Sequence, residues 1–130
     1  MFKIENKDYG LLVTIQGGLD ASDAEAWLTG MEEALRQTQR PFGILVDVRE
    51  AKLFQQEAQA ALKRGMEACA RAGMERAAVA LNGAVATLQA RRLARETGIS
   101  SWQRYVDAAS DPAWRQKALG WILHGRDPES

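Results

Sequence analysis

The chain has 130 residues, 46% hydrophobic and 26% charged, a composition that supports a folded core and excludes a disordered or low-complexity protein. Seventeen basic and seventeen acidic side chains cancel to a net charge of zero, which argues against a general nucleic-acid binder or an electrostatic membrane anchor. The single cysteine, Cys69, excludes an internal disulfide, and no stretch approaches the roughly 20 apolar residues that span a bilayer. The N-terminal residues lack the apolar run of a signal peptide, so a cytoplasmic location is expected.

Phe2 to Glu5 and Leu11 to Ile15 are aliphatic runs flanking the turn-forming cluster Asn6-Lys7-Asp8-Tyr9-Gly10, and they predict an opening β-hairpin. After Gly17-Gly18, Ser22 with Glu25 three residues later reads as a capping box. The helix that follows carries Trp27, Leu28, Met31 and Leu35 on one stripe and ends near Gln39, before Pro41. Phe42 to Val48, with Ile44-Leu45-Val46 at its centre, predicts a central strand covered on both faces.

A second helix, about Gln55 to Ala72, places Ala58, Ala61, Leu62, Gly65, Met66 and Cys69 on one face and stops at Gly73. Ala77 to Leu81 reads as the next strand, Asn82-Gly83 as a turn and Ala84 to Thr97 as the third helix. Gln103 to Val106 predicts the last strand. Ser110-Asp111-Pro112 supplies a helix cap, and Trp114, Ala118, Trp121 and Ile122 form a final stripe ending at Gly125. Residues 1–125 are expected to form a single domain, with 126–130 a polar, flexible tail. The predicted class is α/β: a mixed, mostly parallel five-stranded sheet, built as a hairpin followed by βαβαβα, with about four helices.

Three phrases carry a family resemblance: Gly18-Leu19-Asp20-Ala21-Ser22-Asp23 entering the first helix, Gly43-Ile44-Leu45-Val46-Asp47-Val48, and Arg104-Tyr105-Val106-Asp107 leading to Ala118-Leu119-Gly120-Trp121-Ile122. With the order of elements, they make the chain resemble the SpoIIAA-like fold of STAS domains and of CRAL-TRIO lipid-binding domains, and above all the small bacterial stand-alone STAS-like proteins. The resemblance implies a binding or regulatory module for a small apolar, lipid-like ligand or a protein partner, the latter including a second copy of the chain. Anti-sigma-factor antagonists of this fold carry an Asp-Ser pair where this chain reads Leu53-Phe54-Gln55-Gln56. No serine or threonine lies between Asp47 and Gly73, so the resemblance does not extend to a phosphoserine switch on that helix.

The residues themselves offer few catalysts. His124, the one histidine, falls in the last turn of a helix, where a cation is favoured by the helix dipole, and reads as a structural or surface residue. Cys69 lies on an apolar helix face and reads as an inert core thiol. No metal or cofactor site is expected. Asp47, Arg49, Glu50 and Asp107 are expected at the carboxyl ends of neighbouring strands, where open α/β sheets place ligands, with Asn82-Gly83 offering backbone N–H groups nearby. An apolar cavity is expected beneath the second helix, along Phe54, Ala58, Leu62 and Met66. On the third helix, Val85, Leu88, Arg91, Arg92 and Arg95 share an outward side, which is either a solvated surface or a docking patch for an acidic partner or a second subunit. The alternative function is a small enzyme pairing His124 with Asp47, Glu50 or Asp107, which requires a carboxylate within hydrogen-bond reach of the imidazole.

Overall fold

The computed structural model describes residues 1–129; residue 130 of the expected tail lies outside the described residues. Five strands, β1 (Phe2–Lys7), β2 (Gly10–Gly17), β3 (Phe42–Ala51), β4 (Met74–Leu81) and β5 (Gln103–Asp107), form one sheet in the order 1-2-3-4-5. The β1/β2 hairpin is antiparallel and every later pair is parallel. Helices α1 (Ala21–Gln37), α2 (Gln56–Arg71) and α3 (Ala84–Thr97) connect the parallel strands, and α4 (Trp114–His124) follows β5.

The helical layers follow from handedness. Right-handed crossovers between strands that advance steadily across a sheet put every crossover helix on one face. Accordingly α1, α2 and α3 pack on one side, over Leu11, Val13, Ile15, Ile44, Val79 and Leu81. The pleat sends Leu45, Ala78, Ala80 and Val106 to the other side, against Ala118, Trp121 and Ile122 of α4. Close approach there is steric: a Cβ on Gly43 would lie 2.3 Å from Ile122 Cγ2. The Trp121 indole N–H donates to the carbonyls of Ala77 (3.0 Å) and Trp102 (3.1 Å), which anchors the helix on the sheet.

Several boundaries differ from the expectations. The capping box of α1 is Asp20 with Asp23, not Ser22 with Glu25: Asp20 is extended, its carboxylate accepts from the Asp23 N–H at 2.8 Å, and the Asp23 carboxylate accepts from the Asp20 N–H. Glu25 is instead ion-paired with Arg64 of α2. Strand β3 continues three residues past Val48, because Asp47 and Arg49 pair on one pleat face while Val48 packs on the other. Helix α4 begins at Trp114; Asp111 accepts from the Ala113 N–H at 2.9 Å and ends the turn that contains Pro112.

Candidate functional site: an apolar cavity under the second and third helices

A cavity of about 100 Å³ lies between α2, α3 and the sheet. Its floor is Ile44, Val46, Val48, Val79 and Leu81, its α2 wall Leu62, Gly65, Met66 and Cys69, and its α3 wall Ala86, Ala90 and Leu93. The void exists because α3 presents alanines where larger side chains would fill the space; only Leu93 and Ala94 of that helix are fully buried. Trp27 and Met31 reach in from α1. For scale, a dry apolar void of ~150 Å³ accepts benzene, so this cavity is somewhat smaller than that.

Trp27, which lines the cavity, also carries a polar group without a partner. The Trp27 indole Nε1–H is the one buried side-chain N or O among the described residues that lacks a hydrogen bond, although Trp27 is only 5% exposed. An orphaned buried donor costs about 1–3 kcal/mol, which an acceptor on a ligand would offset. Across the mouth runs the connection from β3 to α2, where Lys52, Leu53 and Phe54 border the cavity and Leu53 is 51% exposed. Gln89 of α3 holds this strap by both ends of its amide: Nε2 donates to the Phe54 carbonyl (3.1 Å) and Oε1 accepts from the Phe54 N–H (3.3 Å). Gln59 Nε2 also donates to the Phe54 carbonyl at 2.8 Å.

The sequence-predicted residues separate into three groups. Phe54, Leu62 and Met66 line the cavity, whereas Ala58 is fully buried in the packed core beside it. Asp47 and Arg49 point to the opposite face of the sheet: the Arg49 guanidinium donates to both oxygens of Asp47 (2.9 Å each) and lies 4.4 Å from the centroid of the Trp114 ring. Burial raises the Asp47 pKa, but the hydrogen bonds from the Arg49 side chain and backbone outweigh it and hold the carboxyl below its ordinary value. Glu50 accepts from Gln16 at 3.1 Å, and Asn82 donates to the Arg49 carbonyl at 2.8 Å. Asp107 accepts from the N–H groups of Gly83 (3.2 Å) and Ala109 (3.0 Å), tying two loops together. The strand-end set is thus internally engaged and does not join the cavity residues in one site.

On α3, Val85 and Leu88 are 66% and 67% exposed. Arg92 and Arg95 are exposed beside them, while Arg91 is half-buried and ion-paired with Glu129. The pairing of His124 with a strand-end carboxylate does not form. Helix α4 starts with Trp114 over Arg49 at the carboxyl ends of the strands and finishes with Ile122 beside Gly43 at their amino ends. His124 therefore sits roughly a helix length, about 15 Å, from Asp47, Glu50 and Asp107. Cys69 lines the cavity but is buried, and that burial pushes its thiol up to about 12. No group of His, Cys, Asp and Glu suited to a metal ion occurs among the described residues, and no described helix is long and apolar enough to cross a membrane. The sequence places Trp27 on the α1 core stripe and Ala86 and Ala90 on the buried side of α3 without assigning them to a cavity, and it gives Gln89 no role; the small residues Ala86 and Ala90 one turn apart were the available signal of a thin wall.

A mixed sheet in the order 1-2-3-4-5, three crossover helices on one face and a closing helix on the other define the SpoIIAA-like fold of STAS domains. No protein-family model matches the chain, and no curated protein does. Solved structures match across almost the whole length. A protein of the DUF3478 family with a SpoIIAA-like fold, from Shewanella loihica PV-4, is 21% identical over 95% of this chain and 93% of its own, with a TM-score of 0.68. The anti-sigma factor antagonist SpoIIAA in its unphosphorylated form is 14% identical over 94% and 96%, with a TM-score of 0.63. An anti-sigma-factor antagonist STAS-domain protein from Planctomyces limnophilus is 16% identical over 80% and 88%, with a TM-score of 0.51. At these identities, what is shared is the fold.

Proposed function

We propose that the chain is a non-enzymatic, STAS-like binding module that takes a small apolar ligand, carrying one hydrogen-bond acceptor, into the cavity between α2, α3 and the sheet. The observation that carries this reading is the cavity of about 100 Å³ with its apolar lining, to which Trp27, the residue with the orphaned indole N–H, contributes. The Gln89 clamp on Phe54 gives such a ligand a defined entry, because two amide hydrogen bonds break when the strap lifts. A regulatory role without a phosphoserine on α2 is consistent with Leu53-Phe54-Gln55-Gln56 at the helix entrance.

A second reading, docking of a protein partner or a second copy on α3, is favoured by the exposure of Val85 and Leu88 beside Arg92 and Arg95. Solved neighbours described as anti-sigma-factor antagonists lend it analogy. The test is an NMR titration of the whole chain with 1-octanol, which has an alkyl tail and a hydroxyl acceptor. Saturable shifts at Trp27 and Leu93 that disappear in Ala90→Leu, a cavity-filling variant, support the ligand reading. Absence of saturable shifts in the parent chain, or equal response in Ala90→Leu, overturns it and leaves the α3 face.

A further inference from the structure

A second cleft, separate from the apolar cavity, opens at the outer edge of β5, and its charge is concentrated in a way the neutral whole chain hides. It measures about 390 Å³ and is bordered by Arg91 and Arg95 of α3 and by Ser100, Arg104 and Tyr105. Arg104 points to the α4 face of the sheet, 4.3 Å from the Trp121 ring, and Arg91 lies over Tyr105 at 4.6 Å on the other face. The two guanidinium groups therefore flank the edge strand from opposite sides. Both are fixed in place: Arg104 also donates to the carbonyls of Ser101 and Gln103 at 3.1 Å each.

The chain's own acidic segment crosses this edge. Gly125 closes α4 in the left-handed conformation (φ 67°), and the Arg126 N–H returns to the Gly120 carbonyl at 3.2 Å, so the following residues turn back toward β5. Asp127 accepts from the Arg104 Nε at 3.1 Å, and Glu129 is ion-paired with Arg91. The Glu129 N–H donates to Asp127 Oδ1 at 2.9 Å, which holds Asp127-Pro128-Glu129 in a tight turn with its two carboxylates facing two arginines. Three arginines, Arg91, Arg95 and Arg104, and two carboxylates, Asp127 and Glu129, line the cleft. A guanidinium fork recognises carboxylate better than any other side chain, and two such forks at fixed separation select for spacing as well as charge.

We infer that the β5-edge cleft is a receptor site for an acidic peptide segment of a partner protein, with carboxylates two residues apart, and that residues Asp127–Glu129 occupy it in cis as a competing self-ligand. A tethered segment this close to its site acts at an effective concentration of roughly millimolar, so a partner must exceed that, or the segment must be displaced, before the site opens. The probe is the hexapeptide Gly-Arg-Asp-Pro-Glu-Ser, the sequence of residues 125–130, followed by NMR at the Trp121 indole N–H and the Arg91 and Arg104 Nε–H signals.

In the double variant Asp127→Asn/Glu129→Gln the peptide should shift these signals saturably, at a concentration at least about ten-fold below that needed in the parent chain. Adding Arg91→Glu, which removes the half-buried guanidinium over Tyr105 while leaving the Arg104 stack on Trp121 intact, should abolish the response, and the peptide Gly-Arg-Asn-Pro-Gln-Ser, with both acidic side chains replaced by amides, should give none. Equal response of parent and double variant, no saturable shift in the double variant while its remaining spectrum stays native, or retention of binding with Arg91→Glu would each overturn the inference.

Discussion

Replacing Gly65 with alanine tests the closest contact at the cavity wall. Gly65 lies inside α2, where alanine is favoured by about 0.5–1 kcal/mol from helix propensity alone. Its new Cβ would lie 2.3 Å from Trp27 Cη2 and 2.4 Å from Cζ3. Carbon atoms pack at about 3.5–4.0 Å, so the indole or the helix must retreat by more than about 1 Å. Trp27 is buried between α1 and α2, and overpacking of this kind costs roughly 1–3 kcal/mol. The net expectation is a loss of roughly 0.5–2 kcal/mol, seen as a urea midpoint lowered by about 0.3–1 M with an unchanged slope. The retreating ring enters the cavity, so 1-octanol binding should weaken in the same variant. A variant more stable than the parent by the helix-propensity gain would refute the reasoning, since it would mean that Trp27 yields without cost.

Three further outcomes follow from the same geometry. Asp47→Asn should cost about 1 kcal/mol at pH 7, because it breaks a two-pronged ion pair with Arg49. The Asp47 pKa is depressed in the folded state, so its contribution is complete above the unfolded carboxyl value and is lost as pH falls through the folded one; chemical denaturation of parent and variant should converge toward pH 3. With its pKa near 12, Cys69 should be thiolate in only about one molecule in ten thousand at pH 8, so iodoacetamide should label it only on unfolding, as read by mass spectrometry. Asp20→Ala should destabilise the protein by about 1 kcal/mol in thermal or urea unfolding, whereas Ser22→Ala, at the position expected from sequence to cap, should change little.

The candidate sites were legible to different depths. Leu62 and Met66 lie four residues apart on one side of α2, and apolar spacing of 3.6 is enough to aim them at the sheet, while Phe54 borders the cavity from the strap before the helix. The strand-end charges were also visible, and the alternation Asp47, Val48, Arg49 already sets Val48 apart from its neighbours. Which helix covers which face was not legible, because the pleat separates two faces without naming them. Only the crossovers put the cavity on the Val48 side and Trp114 over Arg49. Polar residues 126–129 read as a flexible tail because the ion pairs of Asp127 and Glu129, with Arg104 and Arg91, reach residues more than twenty positions away in sequence.

By itself the sequence determined the five strands, the four helices and their order, because those depend on local periodicity and on turn chemistry that each segment carries within itself. Tertiary structure alone decided what those elements enclose. The void under α3, the orphaned Trp27 donor, the distance of His124 from the strand-end carboxylates and the acidic turn across β5 all depend on residues far apart in sequence meeting at ångström separations. Periodicity fixes the direction in which a side chain leaves its own element, but not what it meets there.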